Sequence, residues 1–183
     1  MRERLVYLDE TGFNLAMTRA VARAPRGQRC YGSVPKNWGD NITLTAGIRL
    51  DGLVAPMLMA GSMNGDIFEA YVRDWLLPEL KPGDVVLLDN LSAHKRPAIQ
   101  QILSTKDVAL VFLPPYSPEY NPIELCWNKI KTLVRQLAPR TRDALADATA
   151  LALRAVSAAD CLAWFDHASA ALLRPEPKAQ AFS

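Results

Sequence analysis

VVLLDNLSAHK at residues 85–95, followed by LPPYSPEYNPIELCWNKIK at residues 113–131, is the stretch that decides how this chain is read. A short run of apolar, β-forming residues ends at Asp89. Pro114, Pro115, Pro118 and Pro122 then stiffen the connector, and Glu124 opens a segment with the apolar period of a helix. Between Asp89 and Glu124 lie 34 residues, positions 90–123. A third acid, Asp9, closes a similar run, LVYLD, at residues 5–9. Three carboxylates delivered to one place by two buried strands and one helix start would repel each other in a core. Divalent cations neutralise such a cluster.

Each acid also has a plain structural reading. Asn121-Pro122-Ile123-Glu124 is a good helix start, with Asn as the N-cap, Pro at the first helical position and Glu reaching back as in a capping box. Asp9 and Asp89 can equally be the polar residues that end their strands. The combination, in this order, carries the functional reading.

YLDETGF, LLDNLSAHK and LPPYSPEYNPIELCW closely resemble the DDE transposases of the mariner superfamily, in particular their bacterial insertion-sequence branch. The resemblance runs over about residues 4–137. It implies a ribonuclease H-like, retroviral integrase-like α/β fold, in which a mixed five-stranded sheet is flanked by helices. It further implies that Asp9, Asp89 and Glu124 are the catalytic acids and the ligands of Mg²⁺, with Mn²⁺ as substitute. Two ions about 3.5–4 Å apart suit in-line displacement at phosphorus, and oxygen ligands suit these hard cations. The implied reaction is cleavage of DNA at the ends of an insertion sequence, then joining of the freed 3′-hydroxyl to target DNA. Implied partners are double-stranded transposon-end and target DNA and a second copy of the chain in a homodimer on DNA, with no organic cofactor. Two other readings stand beside this one: another ribonuclease H-like nuclease, or an inactive remnant that binds DNA or a partner subunit.

The chain of 183 residues is the size of one domain. Half of it is apolar and the net charge is only +2, which describes a globular protein and not a basic nucleic-acid tail. No 18-residue apolar run or signal peptide is seen, so a cytoplasmic protein without a membrane span is expected. Cys30, Cys126 and Cys161 are widely spaced and lack a CxxC partner, which reads as reduced thiols and no zinc site. No helix-turn-helix module precedes the first strand, so recognition of element ends is expected to lie outside this sequence, which then reads as a separate catalytic reading frame or a truncated remnant.

In chain order, LVYLD reads as a central strand ending at Asp9, with Glu10 on the opposite face and therefore not a ligand of the same metal. Residues 14–40 read as a long basic insertion with short strands near 21–23 and 30–31, and Arg26 and Arg29 as candidate phosphate contacts. ITLTAGIRL and LVAPMLMAG read as a hairpin closed by a type I′ turn at Asp51-Gly52, the second arm an edge because of Pro56. A helix is expected over 66–80, with Ile67, Phe68, Tyr71, Trp75 and Leu76 facing the core. VVLLD should lie parallel to LVYLD, so that Asp9 and Asp89 end at one edge. A short helix after His94 would carry Lys95 and Arg96 outward near the acids as candidate DNA contacts; His94 itself reads as a cap or a DNA contact. ALVFL is the fifth strand. The helix from Glu124 has Ile123, Trp127, Ile130, Val134 and Leu137 on its apolar side, and Glu124, Asn128, Lys131 and Arg135 on another, where the last three are candidate DNA contacts. Two Ala-rich helices from Thr141 onward would cover the sheet. The catalytic domain is thus expected to span 1–174, with a disordered tail at 175–183.

Overall fold

The computed structural model describes residues 2–172 except 20, 37, 40 and 116. The expected tail at 175–183 lies outside the described residues.

Five strands form one sheet in the order β3-β2-β1-β4-β5: β1 Leu5–Phe13, β2 Ile42–Arg49, β3 Gly52–Ala60, β4 Val85–Leu88 and β5 Ala109–Phe112. The first three form an antiparallel meander, whereas β4 joins β1 in parallel and β5 joins β4 in parallel. Strand alternation sorts side chains into two layers. Val6, Leu8, Val86 and Leu88 face Phe68, Tyr71, Val72, Ile99 and Leu103 on one side. Tyr7, Phe13, Leu44, Ala46 and Ile48 face Trp127, Ile130, Leu145 and Phe165 on the other. The first layer is covered by α1 Gly65–Tyr71 with its continuation and by α3 Pro97–Ser104. Covering the second are α4 Ile123–Leu137, α5 Arg142–Arg154 and α6 Ala158–Leu172. This is the ribonuclease H-like arrangement expected from the sequence. No single described helix is long and apolar enough to cross a membrane.

Several local readings need correction. Strand β1 does not end at Asp9 but continues to Phe13, because β2 pairs with it over Tyr7 to Phe13 and satisfies its backbone. Residues 14–41 contain no strand among the described residues, so the two short strands expected there are absent. The hairpin turn falls at Leu50-Asp51, one residue early, since Arg49 pairs with Gly52, and Asp51 does not take the positive φ of a type I′ turn. Pro56 does mark an edge strand, and the reason is visible. The register shift opposite Thr45 and Gly47 places Ala55 and Pro56 in a bulge, with Ala55 at φ 50°, where a missing N–H costs no ladder bond.

The helix expected over 66–80 is interrupted. After α1 comes a π-helical turn, Val72–Leu76, before the short α2, Leu77–Glu79. Pro78 cannot donate to the helix and crowds the carbonyl four residues earlier, and widening the turn relieves both. The wider turn advances the buried register to Tyr71, Val72, Leu76 and Leu80, and leaves Trp75 54% exposed instead of in the core. Leu137, at the far end of α4, is likewise exposed. α4 closes on Ala138 in the left-handed region (φ 47°, ψ 55°), whose N–H returns to the Val134 carbonyl.

A buried ion pair fixes the end of the sheet away from the acids. Arg49 Nη2 donates to Asp84 Oδ2 at 2.6 Å and to the Glu79 carbonyl at 3.2 Å, and the Lys81 amide donates to the same Asp84 oxygen. The link holds the end of β2 to the turn that feeds β4, and with it the register of β4 beside β1.

Candidate active site

Parallel pairing of β1 with β4 ends at Tyr7 opposite Leu87, and two more residues along each strand bring Asp9 and Asp89 side by side where β4 leaves the sheet. Asp9 is therefore a mid-strand residue flanked by the antiparallel ladder to β2, and Asp89 begins the loop after β4. Glu124 arrives from the first turn of α4. All three line one cleft of about 460 Å³, together with Asn90, Leu91, Lys95 and Asn121. Its remaining wall is the proline-stiffened connector: Leu113, Pro114, Pro115, Ser117 and Pro118. The Leu113 amide donates to the Leu88 carbonyl and Asn90 Nδ2 donates to the Leu113 carbonyl, so the connector leaves the sheet clamped to β4.

The capping reading of Glu124 is not what the fold uses. Helix α4 has Pro122 at its N-cap position with no side-chain cap bond. The Glu124 amide donates to the Asn121 backbone carbonyl, and among the described residues the Asn121 amide oxygen has no hydrogen-bond partner. Glu124 is instead exposed and lines the cleft.

The fold pushes the Asp9 and Asp89 carboxyls in opposite directions. Burial pushes the Asp9 carboxyl up to about 7, with Glu124 and Glu10 adding to the rise against hydrogen bonds from the Glu10 amide and Trp127. The indole of Trp127 donates from Nε1 to Asp9 Oδ2 at 3.0 Å. Asp89 is less buried. Burial alone would raise its carboxyl, but hydrogen bonds from His94 and the Leu91 amide and the charge of His94 hold it below the usual range.

His94 departs from its expected role. The ring is 1% exposed and lies beneath the sheet, tilted against Phe68 at a centroid distance of 4.3 Å. It donates from Nδ1 to Asp89 Oδ1 at 2.6 Å and from Nε2 to Glu10 Oε1 at 3.0 Å. Burial works against a charged ring, but the two carboxylates outweigh it and push His94 up to about 9. With both nitrogens engaged, it offers DNA no donor and is neither the cap nor the contact expected. Glu10 does sit on the opposite face from Asp9, as alternation requires, and is tied to the site through this ring.

The other candidate contacts divide. Lys95 is exposed and lines the cleft. Lys131 and Arg135 lie partly buried further along α4. Burial and Arg135 lower the Lys131 ammonium, while Glu124 and Asp9 pull it back, which places its charge within reach of the acids. Asn128 opens onto a separate groove between α4 and α6, with Lys129, Asp160 and Trp164. Arg96 turns to α1, where it pairs with Asp66 at 2.6 Å and Glu69 at 3.8 Å. Arg26 and Arg29 are exposed, but no described residue of 14–41 lines the cleft. Trp127 was legible only as an apolar helix position. Its place one turn after Glu124 was the available signal that an indole N–H could reach the same site.

Among the described residues no three His, Cys, Asp or Glu side chains stand close enough to hold one ion. The donors that line the cleft are nonetheless carboxylate oxygens, the chemistry a hard divalent cation takes: the exposed Glu124 carboxylate, Asp89 Oδ2, which receives no hydrogen bond among the described residues, and Asp9. No described cysteine lines the cleft. The three cysteines are unpaired, Cys126 and Cys161 being buried and pushed to about 12 and about 11 by that burial.

Residues 4–146 match the family described as DDE superfamily endonuclease. Among solved structures, the Mos1 strand transfer complex is similar at 16% identity with a TM-score of 0.72, covering 90% of this chain and 51% of that one. The Mos1 mariner paired-end complex with Mn gives 14% and 0.73, covering 91% and 52%. The isolated catalytic domain of Mos1 mariner transposase gives 15% and 0.61, covering 91% and 77%. The chain thus spans about half the length of the Mos1 chains in those complexes. A comparison with curated protein sequences gives no match.

Proposed function

The chain belongs to the DDE superfamily endonuclease family, and from that membership we propose that it is the catalytic domain of an insertion-sequence transposase, cutting DNA at element ends and joining them to a target. The observation that carries this reading is the convergence of Asp9, Asp89 and Glu124, three acids from remote parts of the chain, on one cleft. The similar Mos1 complexes include paired-end forms with Mg and with Mn, which supports double-stranded DNA as partner and these ions as cofactor.

Asp9, Asp89 and Glu124 would hold the metal. When bound, two such ions supply Lewis-acid activation of the attacking oxygen and stabilisation of the leaving one. This chain's residues do the rest by placement. Trp127 fixes one oxygen of Asp9, and the proline connector sets the reach of Glu124 toward the two aspartates with little slack. Lys95 at the cleft mouth and Lys131 and Arg135 along α4 suit the flanking phosphates. Residues 1–174 act as one unit in the cytoplasm, and two copies assemble on DNA with Arg26 and Arg29 of the long basic segment at the nucleic acid or the second subunit.

The test is a Mn²⁺ binding isotherm for the wild-type chain beside Asp89→Asn, followed by cleavage assays on transposon-end DNA, four-way junctions and RNA–DNA hybrids. Binding lost in the variant, with metal-dependent cleavage of end DNA, supports the reading. Equal Mn²⁺ binding by the two proteins would remove the metal site. Cleavage confined to junctions or hybrids would move the chain to another nuclease class.

A further inference from the structure

The three acids account for the cleft but not for the buried chain of groups behind it. Glu10 and His94 lie outside the cleft lining, yet they form one line with Asp89: Glu10 Oε1, then the two nitrogens of His94, then Asp89 Oδ1. A histidine placed only to fill space beside Phe68 has no need of two carboxylates, and a carboxylate on the core side of β1, 13% exposed, is costly unless it has a purpose. Among the described residues the Glu10 side chain hydrogen-bonds to His94 alone.

The geometry at Asp89 gives that purpose. Its Oδ1 receives two donors, His94 Nδ1 at 2.6 Å and the Leu91 amide at 3.1 Å, while Oδ2 receives none among the described residues. Asp89 sits just past the last ladder residue of β4, where the backbone no longer restrains it. Without the ring its carboxylate would keep only the Leu91 amide, a donor from the same loop. Glu10 is anchored in the middle of β1, paired with Thr45, so the ring transfers the rigidity of the central strand to an acid at the start of a loop. Phe68 of α1 packs against the ring at a centroid distance of 4.3 Å.

We propose that Glu10 and His94 are positioning residues for Asp89: through His94, β1 fixes Asp89 Oδ1 and leaves Oδ2 as the oxygen presented to a divalent cation in the cleft. This rests on the reading of the three acids as metal ligands. Partners that orient a ligating carboxylate in this way commonly change metal affinity or activity by about 10–100-fold when removed.

The experiment measures Mn²⁺ affinity from the loss of the free-ion electron paramagnetic resonance signal, with kcat and KM for metal-dependent cleavage of end DNA, in the full chain. His94→Phe keeps a ring against Phe68 and removes both donors. His94→Asn keeps a donor near the Nδ1 position but cannot reach Glu10, and Glu10→Gln removes the anchoring charge without entering the cleft. Melting temperature reports folding for each. Expected are an affinity loss of about tenfold or more for His94→Phe, partial rescue in His94→Asn, a smaller loss in Glu10→Gln, and a fall in kcat with KM for DNA unchanged. If His94→Phe does not fold, the other two variants decide. Wild-type affinity and kcat in the folded variants, with binding still abolished by Asp89→Asn, overturn the positioning role and leave the metal site standing. Mn²⁺ binding that Asp89→Asn does not reduce overturns the metal site and the positioning role with it.

Discussion

Trp127 Nε1 donates to Asp9 Oδ2 at 3.0 Å, a bond across 118 residues of sequence that ties the helix carrying Glu124 to the strand carrying Asp9. It makes the spacing of two of the three acids depend on one indole. Trp127→Phe keeps an aromatic ring in the core and deletes only the donor. The expected result is a stability loss of about 1 kcal/mol and a weaker Mn²⁺ complex, because Asp9 loses a group that favours its ionised form. Denaturant unfolding and a Mn²⁺ titration check both. Unchanged metal affinity would reduce the bond to a packing detail.

Metal-free stability should fall as pH rises across two windows. Asp9 is raised from an ordinary carboxyl to about 7, so the folded state holds its proton more tightly than the unfolded state. The stability it contributes is full below about pH 4 and lost as pH climbs through 7. His94 is raised from 6.5 to about 9, so its contribution is full below 6.5 and lost as pH climbs through 9. Thermal melts in a chelator should therefore show Asp9→Asn more stable than wild type at pH 8, with most of the gain gone at pH 4. A variant no more stable than wild type at pH 8 would mean that burial does not strain this carboxyl.

Divalent metal should reverse that strain. Ligation requires the ionised acid, so affinity for Mn²⁺ rises with pH up to and through 7 as Asp9 gives up its proton. At pH 8, Mg²⁺ should raise the melting temperature of wild type and leave Asp9→Asn nearly unaffected. Calorimetric titrations in two buffers of different ionisation enthalpy would register the released proton near neutral pH.

Lys95 and the Lys131-Arg135 pair can be separated by salt. Each phosphate contact removed should lower the slope of log affinity against log salt by roughly 0.9 on duplex DNA. Lys95→Ala is expected to lose one such step, and Lys131→Ala with Arg135→Ala about two. Arg96→Ala should change the slope least, since that guanidinium is committed to Asp66 and Glu69. An unchanged slope in the double variant would take Lys131 and Arg135 out of the DNA interface.

Ala138 ends α4 with φ at 47°, a region that a Cβ disfavours. Ala138→Gly should raise stability by about 0.5–1 kcal/mol and leave cleavage and Mn²⁺ affinity unchanged, being at the opposite end of α4 from Glu124. Equilibrium unfolding measures it. A loss of stability would show that the Ala138 methyl is packed more tightly than its backbone strain costs.

Features that depend on short-range chemistry are legible in the amino-acid sequence. Apolar runs of four to nine residues mark the five strands, Pro56 marks an edge, and 34 residues stiffened by prolines separate two acids at the ends of regular elements. Such signals are local, because strand alternation and helix period are properties of neighbouring residues. Tertiary structure alone decided which alternative each side chain takes when several are open to it. Asn121 and Glu124 spell a capping box, yet Glu124 faces the cleft, since the chain enters α4 through Pro122. Trp75 and Tyr71 share a helical stripe until Pro78 forces a π turn and rotates Trp75 into solvent. His94 sits in a polar loop by sequence, but the sheet brings Glu10 across 84 residues to meet it. Contacts between remote segments have no period along the chain, and the partners of Asp9 and Asp89 are of that kind.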